Sequence, residues 1–257
     1  MTQTDLLWPH DDAGQSPLPD GHIWLRLLET TDVHAHLIPF DYTSGQEVWD
    51  YGLTRTATLI AQARAQARNT LLFDNGDFLQ GSALSDLVAA PGANWTYTHP
   101  VITAMNCLGY TAAGLGNHEF NFGLDWLQRT LPQAKFPFVC ANAITRKGAD
   151  PTQDETLVVP SKIFPVALRN AQGQRHDLKI GVLGVVPPQI TTWDHSHLEG
   201  RVTSRDMVET AAAHVPTLRA QGADLVVILA HTGITPGPHV PGSENAALAL
   251  SLIHISE

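Results

Sequence analysis

Apolar runs of strand length alternate with helical segments along this 257-residue chain, and that alternation restricts the fold more than any other feature of it. The first run is HIWLRLLET, residues 22–30. GLTRTATLIAQARAQARN follows, with Leu53, Ala57, Ile60 and Ala67 at helical spacing. TLLFDNG reads as a second strand and HPVITAMNCLGY as a helix that starts after Pro100. TAAGLG is a short third strand, GLDWLQRTLPQA a helix and FPFVCANA a strand. Residues 158–186 form a hairpin around Asn170-Ala-Gln-Gly, and its second arm is apolar. SRDMVETAAAHVPTLRAQG is a helix and ADLVVILA a final strand. The pattern predicts an α/β fold, and the hairpin predicts a mixed sheet.

The residues just past each buried run point to function. The first run exits into Asp32-Val-His34, the second into Asn75-Gly-Asp77 and on to Gly81. The third exits into Gly116-Asn117-His118-Glu119, and the last into His231-Thr-Gly. Parallel strands of an α/β sheet share a carboxyl end, where ligands bind. Four exits would bring Asp, His, Asp, Asn and His to one place. Carboxylate, amide oxygen and imidazole without thiolate suit hard or borderline divalent cations such as Mn, Zn, Fe, Co or Mg. Two such cations sharing a carboxylate, about 3.5–4 Å apart, clamp a phosphoryl group and make hydroxide available at neutral pH.

Composition narrows the partners. The net charge of -10 argues against a nucleic-acid polymer, although bound cations would invert the local sign for a small anionic substrate. Hydrophobic residues at 43% suffice for a core, and no apolar run is long enough to cross a membrane. Cys107 and Cys140 lack metal-ligand spacing and are expected to be buried thiols.

The motifs D-x-H, GDxxxG, GNHE and a later H-x-G resemble the signature blocks of the calcineurin-like metallophosphoesterases. DNGDFLQGS, TAAGLGNHEFNFGLDWL and KIGVLGVVPPQITTWD resemble, more narrowly, the bacterial 2',3'-cyclic-nucleotide 2'-phosphodiesterase/3'-nucleotidase branch of the 5'-nucleotidase family. The resemblance runs from about Leu25 to about Leu250. It implies a four-layer αββα sandwich and two divalent metal ions. Asp32 and His34 would hold one ion, Asn117 and His231 the other, with Asp77 bridging and His118 catalytic. The implied activity is hydrolysis of 2',3'-cyclic nucleotides and 3'-nucleotides by a two-metal-activated hydroxide. The resemblance assigns no substrate-binding residues within this chain.

The chain departs from the family pattern after Glu244-Asn245, where a Gly-His-x-His motif is expected and SLIHISE stands instead. Residues 1–21 are read as a disordered leader, 22–250 as a metallophosphoesterase domain incomplete at its C-terminus, and 251–257 as a non-native tail. His254 in that tail is not expected to replace a ligand. A nucleoside-holding second domain is expected in the parent protein, and turnover by these residues alone is expected to be impaired. An inactive metal- or partner-binding fragment is the alternative. DVHAHL also resembles the strand end of an amidohydrolase barrel, but GDFLQGS and GNHEF fit that reading badly. The family implies a periplasmic setting; the N-terminus shows no signal sequence, which leaves a cytoplasmic one open. His36 is expected outside the metal set, His195 and His197 in a solvated loop, and Glu119 either beside His118 or capping the next helix.

Overall fold

The computed structural model describes residues 22–90 and 96–252. Residues 1–21 and 253–257, with His254, lie outside the described residues. The main elements in chain order are β1 (Arg26–Thr30), α1 (Leu53–Ala65), β2 (Thr70–Asp74), α2 (Ala83–Ala89), α3 (Pro100–Leu108) and β3 (Ala112–Ala113). They continue with α4 (Leu124–Thr130), the hairpin strands β4 (Ser161–Arg169) and β5 (Arg175–Val185), α5 (Met207–Ala220), β6 (Leu225–Ala230) and α6 (Ala247–Leu252).

These strands form two sheets rather than one. The first is parallel, in the order β1-β2-β3. The second has the order β6-β5-β4, with β6 parallel and β4 antiparallel to β5. Side chains alternate across a strand, and here the alternation sorts them into three cores. Leu72 and Ala113 face outward from the first sheet into a cluster with Leu53, Ile60, Val101, Ile102, Met105 and Leu127 of its helices. Phe73, Ala112, Ile180, Val182 and Leu229 face inward and pack the sheets on each other. Leu183, Val185 and Val226 face outward from the second sheet onto Met207, Ala211, Val215 and Leu218 of α5. The layers therefore run helix, sheet, sheet, helix, as the resemblance implies. The two open sheets give no barrel for the amidohydrolase reading.

Local chemistry sets the element ends. Pro100 opens α3, where a missing N–H costs nothing, the His99 ring accepts from Val101 N–H, and Gly109 closes the helix in the left-handed conformation. Asp206 caps α5 by accepting from Val208 and Glu209 N–H.

The segment FPFVCANA is not a continuous strand. Phe138 bridges Ala113 in the first sheet, while Ala141 N–H donates to Gly184 O in the second, at 2.8 Å. Serving two sheets in succession, it builds no ladder with either. Cys140 is buried as expected, whereas Cys107 is exposed because the last turn of α3 rotates it to solvent. His195 and His197 occupy a one-turn helix, His195–Leu198, rather than a loop. No helix among the described residues is long and apolar enough to cross a membrane.

Candidate metal centre

The loops leaving β1 and β2 run side by side beyond the sheet. Asn75 N–H donates to Thr30 O at 2.8 Å, and Asp32 N–H to Gly76 O at 3.0 Å. His34 N–H donates to Asp77 O at 2.8 Å, and Ala35 N–H to Phe78 O at 3.0 Å. Within this paired turn Asp32, His34 and Asp77 adopt positive φ, at 53°, 46° and 59°. Left-handed backbone costs an ordinary L residue about 1–2 kcal/mol and is least unusual for Asp, Asn and His. Such strain, held by surrounding structure, clusters at functional sites. Two glycines allow the close approach: a Cβ at Gly116 would run into Asp77 Oδ1, and one at Gly81 would lie 2.7 Å from His34 Cβ.

Glu119 ties the second and third exits together. Its fully buried carboxylate accepts from Asp77 N–H and Gly116 N–H on Oε2, both at 2.7 Å. Oε1 accepts from Phe78 N–H at 2.9 Å and Leu79 N–H at 3.1 Å. It neither contacts His118 nor caps the next helix, because all four of its lone-pair directions point at backbone. Burial and then the charge of Asp77 raise its pKa; N–H donation opposes them. Beneath the turn, burial pushes the Asp74 carboxyl up to about 8, and Thr30 Oγ donates to it at 2.5 Å.

Three imidazoles converge above this scaffold, each held through Nδ1. His34 Nδ1 donates to Gln80 O at 2.8 Å, and His231 Nδ1 to Asn75 O at 2.9 Å. His118 Nδ1 lies 2.7 Å from both Gln80 Oε1 and Asn121 Oδ1. The second ring nitrogens point inward. His34 Nε2 is 3.5 Å from Asp32 Oδ1, while His231 Nε2 is 3.2 Å and His118 Nε2 3.9 Å from Asp77 Oδ2. His118 N–H donates to the other Asp77 oxygen at 2.8 Å. Two groups result, His34–Asp77–His118 and Asp32–Asp77–His231, each with ligand atoms within 4.8 Å of one another. Asp77 belongs to both. Asn117 lines the adjoining cavity of about 450 Å³ with Asp32, His231, Trp193 and Asn245.

All six expected site residues therefore meet, but not from one sheet. Asp32, His34, Asp77, Asn117 and His118 leave the first sheet, and His231 arrives from β6 in the second. Asp32 falls in a group with His231, and His34 in one with His118, while Asp32 Oδ1 also lies 3.5 Å from His34 Nε2. His36 stays outside both groups, its ring 4.5 Å from that of Tyr51. Gln80, Asn121 and Asp194 support His118 and were not expected to do so. Gln80 lies inside GDFLQG and Asn121 three residues beyond His118, so proximity in sequence could have found both. Asp194 carries no sequence signal.

These donors suit a divalent cation. Imidazole nitrogens fixed through Nδ1, a carboxylate offered to both groups and no thiolate match a hard or borderline ion. Asn75 Oδ1, at the same cavity, is buried without a hydrogen-bond partner.

Residues 25–253 match the calcineurin-like phosphoesterase family. The chain belongs to that family. It is 45% identical over 229 residues to a 2',3'-cyclic-nucleotide 2'-phosphodiesterase/3'-nucleotidase of Yersinia enterocolitica, covering 89% of this chain and 34% of that one. The protein of the same name from Salmonella typhimurium is 45% identical over 227 residues, covering 88% and 34%. The chain thus spans about a third of the length of these relatives. A solved calcineurin-like phosphoesterase, YfkN of Bacillus subtilis, superposes with a TM-score of 0.80 at 43% identity over 89% of this chain and 68% of that one.

Protonation bears on whether this centre can take a cation. Burial works against a charge on His231, but the hydrogen bond and charge of Asp77 outweigh it and raise the imidazole to about 9. If His231 serves as a ligand, as the sequence resemblance implies, a cation taken up there would displace a proton from it. Manganese affinity should rise by about tenfold per pH unit between pH 6 and 8 and flatten above about 9. Calorimetry in buffers of different ionisation enthalpy would count the released proton. An affinity independent of pH over that range would contradict the pairing.

Proposed function

We propose that this domain hydrolyses nucleotide phosphoesters, specifically 2',3'-cyclic nucleotides and 3'-nucleotides, at a centre of two divalent cations. The observation that carries the proposal is Asp77, the one carboxylate common to both ligand groups. Asp32 and His34 are assigned to one ion, and Asn117 and His231 to the other. When bound, the ions would neutralise phosphoryl charge and make hydroxide available at neutral pH. His118 is assigned the proton transfer to the leaving ribose oxygen, through the Nε2 atom that its Nδ1 partners leave free. Half-exposed Trp193, on the cavity wall, offers an aromatic face for stacking a base. The nucleoside-holding second domain implied by the sequence resemblance is part of the same proposal. The relatives named for this activity and the likeness to a solved phosphoesterase support the reading. Turnover of 2',3'-cyclic AMP and 3'-AMP with manganese, against 5'-AMP as control, tests it; preference for 5'-AMP would redirect it.

His118→Asn separates chemistry from metal binding. It should retain both metals while kcat falls by about 10²–10⁴-fold, the usual contribution of a general acid. Loss of metal in step with activity would instead place His118 among the ligands, where its grouping with His34 and Asp77 could put it.

A further inference from the structure

We infer that Asp194 is a positioning residue for His118, acting through the amide of Asn121. The inference rests on the assignment of proton transfer to His118 and adds what fixes that ring's tautomer. Asn121 comes directly after the 3-10 turn His118–Phe120. Side chains three residues apart eclipse in such a turn, which sets Asn121 Oδ1 2.7 Å from His118 Nδ1. On its other side, Asn121 Nδ2 donates to Asp194 Oδ1 at 2.9 Å. Asp194 is 5% exposed, and its Oδ2 is buried without a hydrogen-bond partner. It sits between two one-turn helices, Ile190–Trp193 and His195–Leu198. Its backbone N–H donates to Ile190 O, and its own carbonyl accepts from His197 and Leu198 N–H. The backbone that carries the carboxylate is thus tied at both ends, and among the described residues Asn121 is the one hydrogen-bond partner of its side chain.

Its effect comes from donor and acceptor matching. A carboxylate oxygen accepts, so Asn121 must present its NH₂ to Asp194 and its carbonyl to His118. The reversed amide would set a carbonyl against Asp194 and an NH₂ against Nδ1. With Asn121 Oδ1 and Gln80 Oε1 both 2.7 Å from Nδ1, that nitrogen must carry the hydrogen. Nε2 is then the atom free to exchange a proton with substrate. Gln80 alone could not enforce this, because its amide can turn either face to the ring, whereas that of Asn121 is held from behind. A buried carboxylate 73 residues from Asn121 therefore decides which end of His118 works.

Asp194→Asn preserves shape and removes the constraint, since an amide at that position can accept either orientation of Asn121. The variant should keep its metal content and KM, lose about 10–100-fold in kcat, and show His118 as a mixture of tautomers by ¹⁵N NMR at one fixed alkaline pH on magnesium-loaded protein. Asn121→Asp combined with Asp194→Asn exchanges the two groups: the carboxylate then accepts both from His118 Nδ1–H and from the amide behind it. That double variant should restore the single tautomer and most of kcat, which a merely structural role for Asp194 would not produce. A single tautomer and unchanged kcat in Asp194→Asn would overturn the inference. So would a double variant that folds and loads metal but recovers neither signal. If the unsubstituted protein hydrolyses no nucleotide, the functional reading fails, while the tautomer measurement still decides the role of Asp194.

Discussion

Asp77→Asn strips the protein of most of its divalent metal while leaving it folded, and phosphodiester hydrolysis falls to near background. The expectation rests on Asp77 being common to both ligand groups: no other carboxylate among the described residues is shared by the two. The amide keeps one oxygen for His118 N–H but brings no charge, so a cation in either group would lose the anionic partner that the two groups share. Asn also tolerates the left-handed φ of 59° at this position. Asp77→Ala should lose metal equally and lose about 1–2 kcal/mol of stability besides, because alanine resists that conformation. Metal per chain after manganese loading and desalting is the primary readout. A second is the thermal stabilisation that manganese confers on the unsubstituted protein, about 2.7 kcal/mol at a hundredfold excess over Kd, which should vanish. Two metals retained by Asp77→Asn would show that the bridge lies elsewhere.

Glu119→Gln, though isosteric, lowers stability by about 3–6 kcal/mol. Both carboxylate oxygens accept two backbone N–H groups, so an NH₂ in place of either one faces two donors with nothing to accept them. Hydrogen bonds to a charged acceptor contribute roughly 1.5–3 kcal/mol each, and an orphaned buried donor costs about 1–3. For a chain of this length that corresponds to a fall in Tm of roughly 10–20 °C. Glu119→Ala should do similar damage by leaving four donors facing a cavity. Metal affinity should weaken in both variants, since the turn that carries Asp77 is no longer fastened to the one that carries His118. Thermal and urea denaturation of metal-free protein measure the first effect apart from the second. A Tm within about 2–3 °C of the unsubstituted protein would mean that the turns hold by other contacts.

These two residues mark the boundary between what was legible in the sequence and what was not. Asp77 could be picked out because its signal is local: a glycine-punctuated turn at the end of an apolar run, in order with three similar exits. The same holds for α3 behind Pro100 and for the hairpin of β4 and β5, since helix caps, turn residues and side-chain period act over a few positions. Glu119 was visible as a residue but not as a clamp. Three of its four partners are main-chain groups about 40 positions away, and backbone donors carry no sequence signature.

Sheet membership was hidden for a related reason. Apolar runs show that β2 and β6 are each buried, yet they do not say which neighbour each strand takes. In space β2 joins β1 across 44 residues, β6 joins β5, and FPFVCANA divides its hydrogen bonds between the two sheets. Hydrogen bonding between strands is the same whatever sequence supplies it, so only packing of the three cores selects the partners. By itself the sequence determined the alternation of elements, the chemistry at each strand exit and the kind of ion that chemistry suits. The tertiary structure alone decided that His231 crosses from a second sheet to reach Asp77, that Glu119 locks two turns, and that Asp194 stands behind His118, because each depends on long-range contacts that no local pattern encodes.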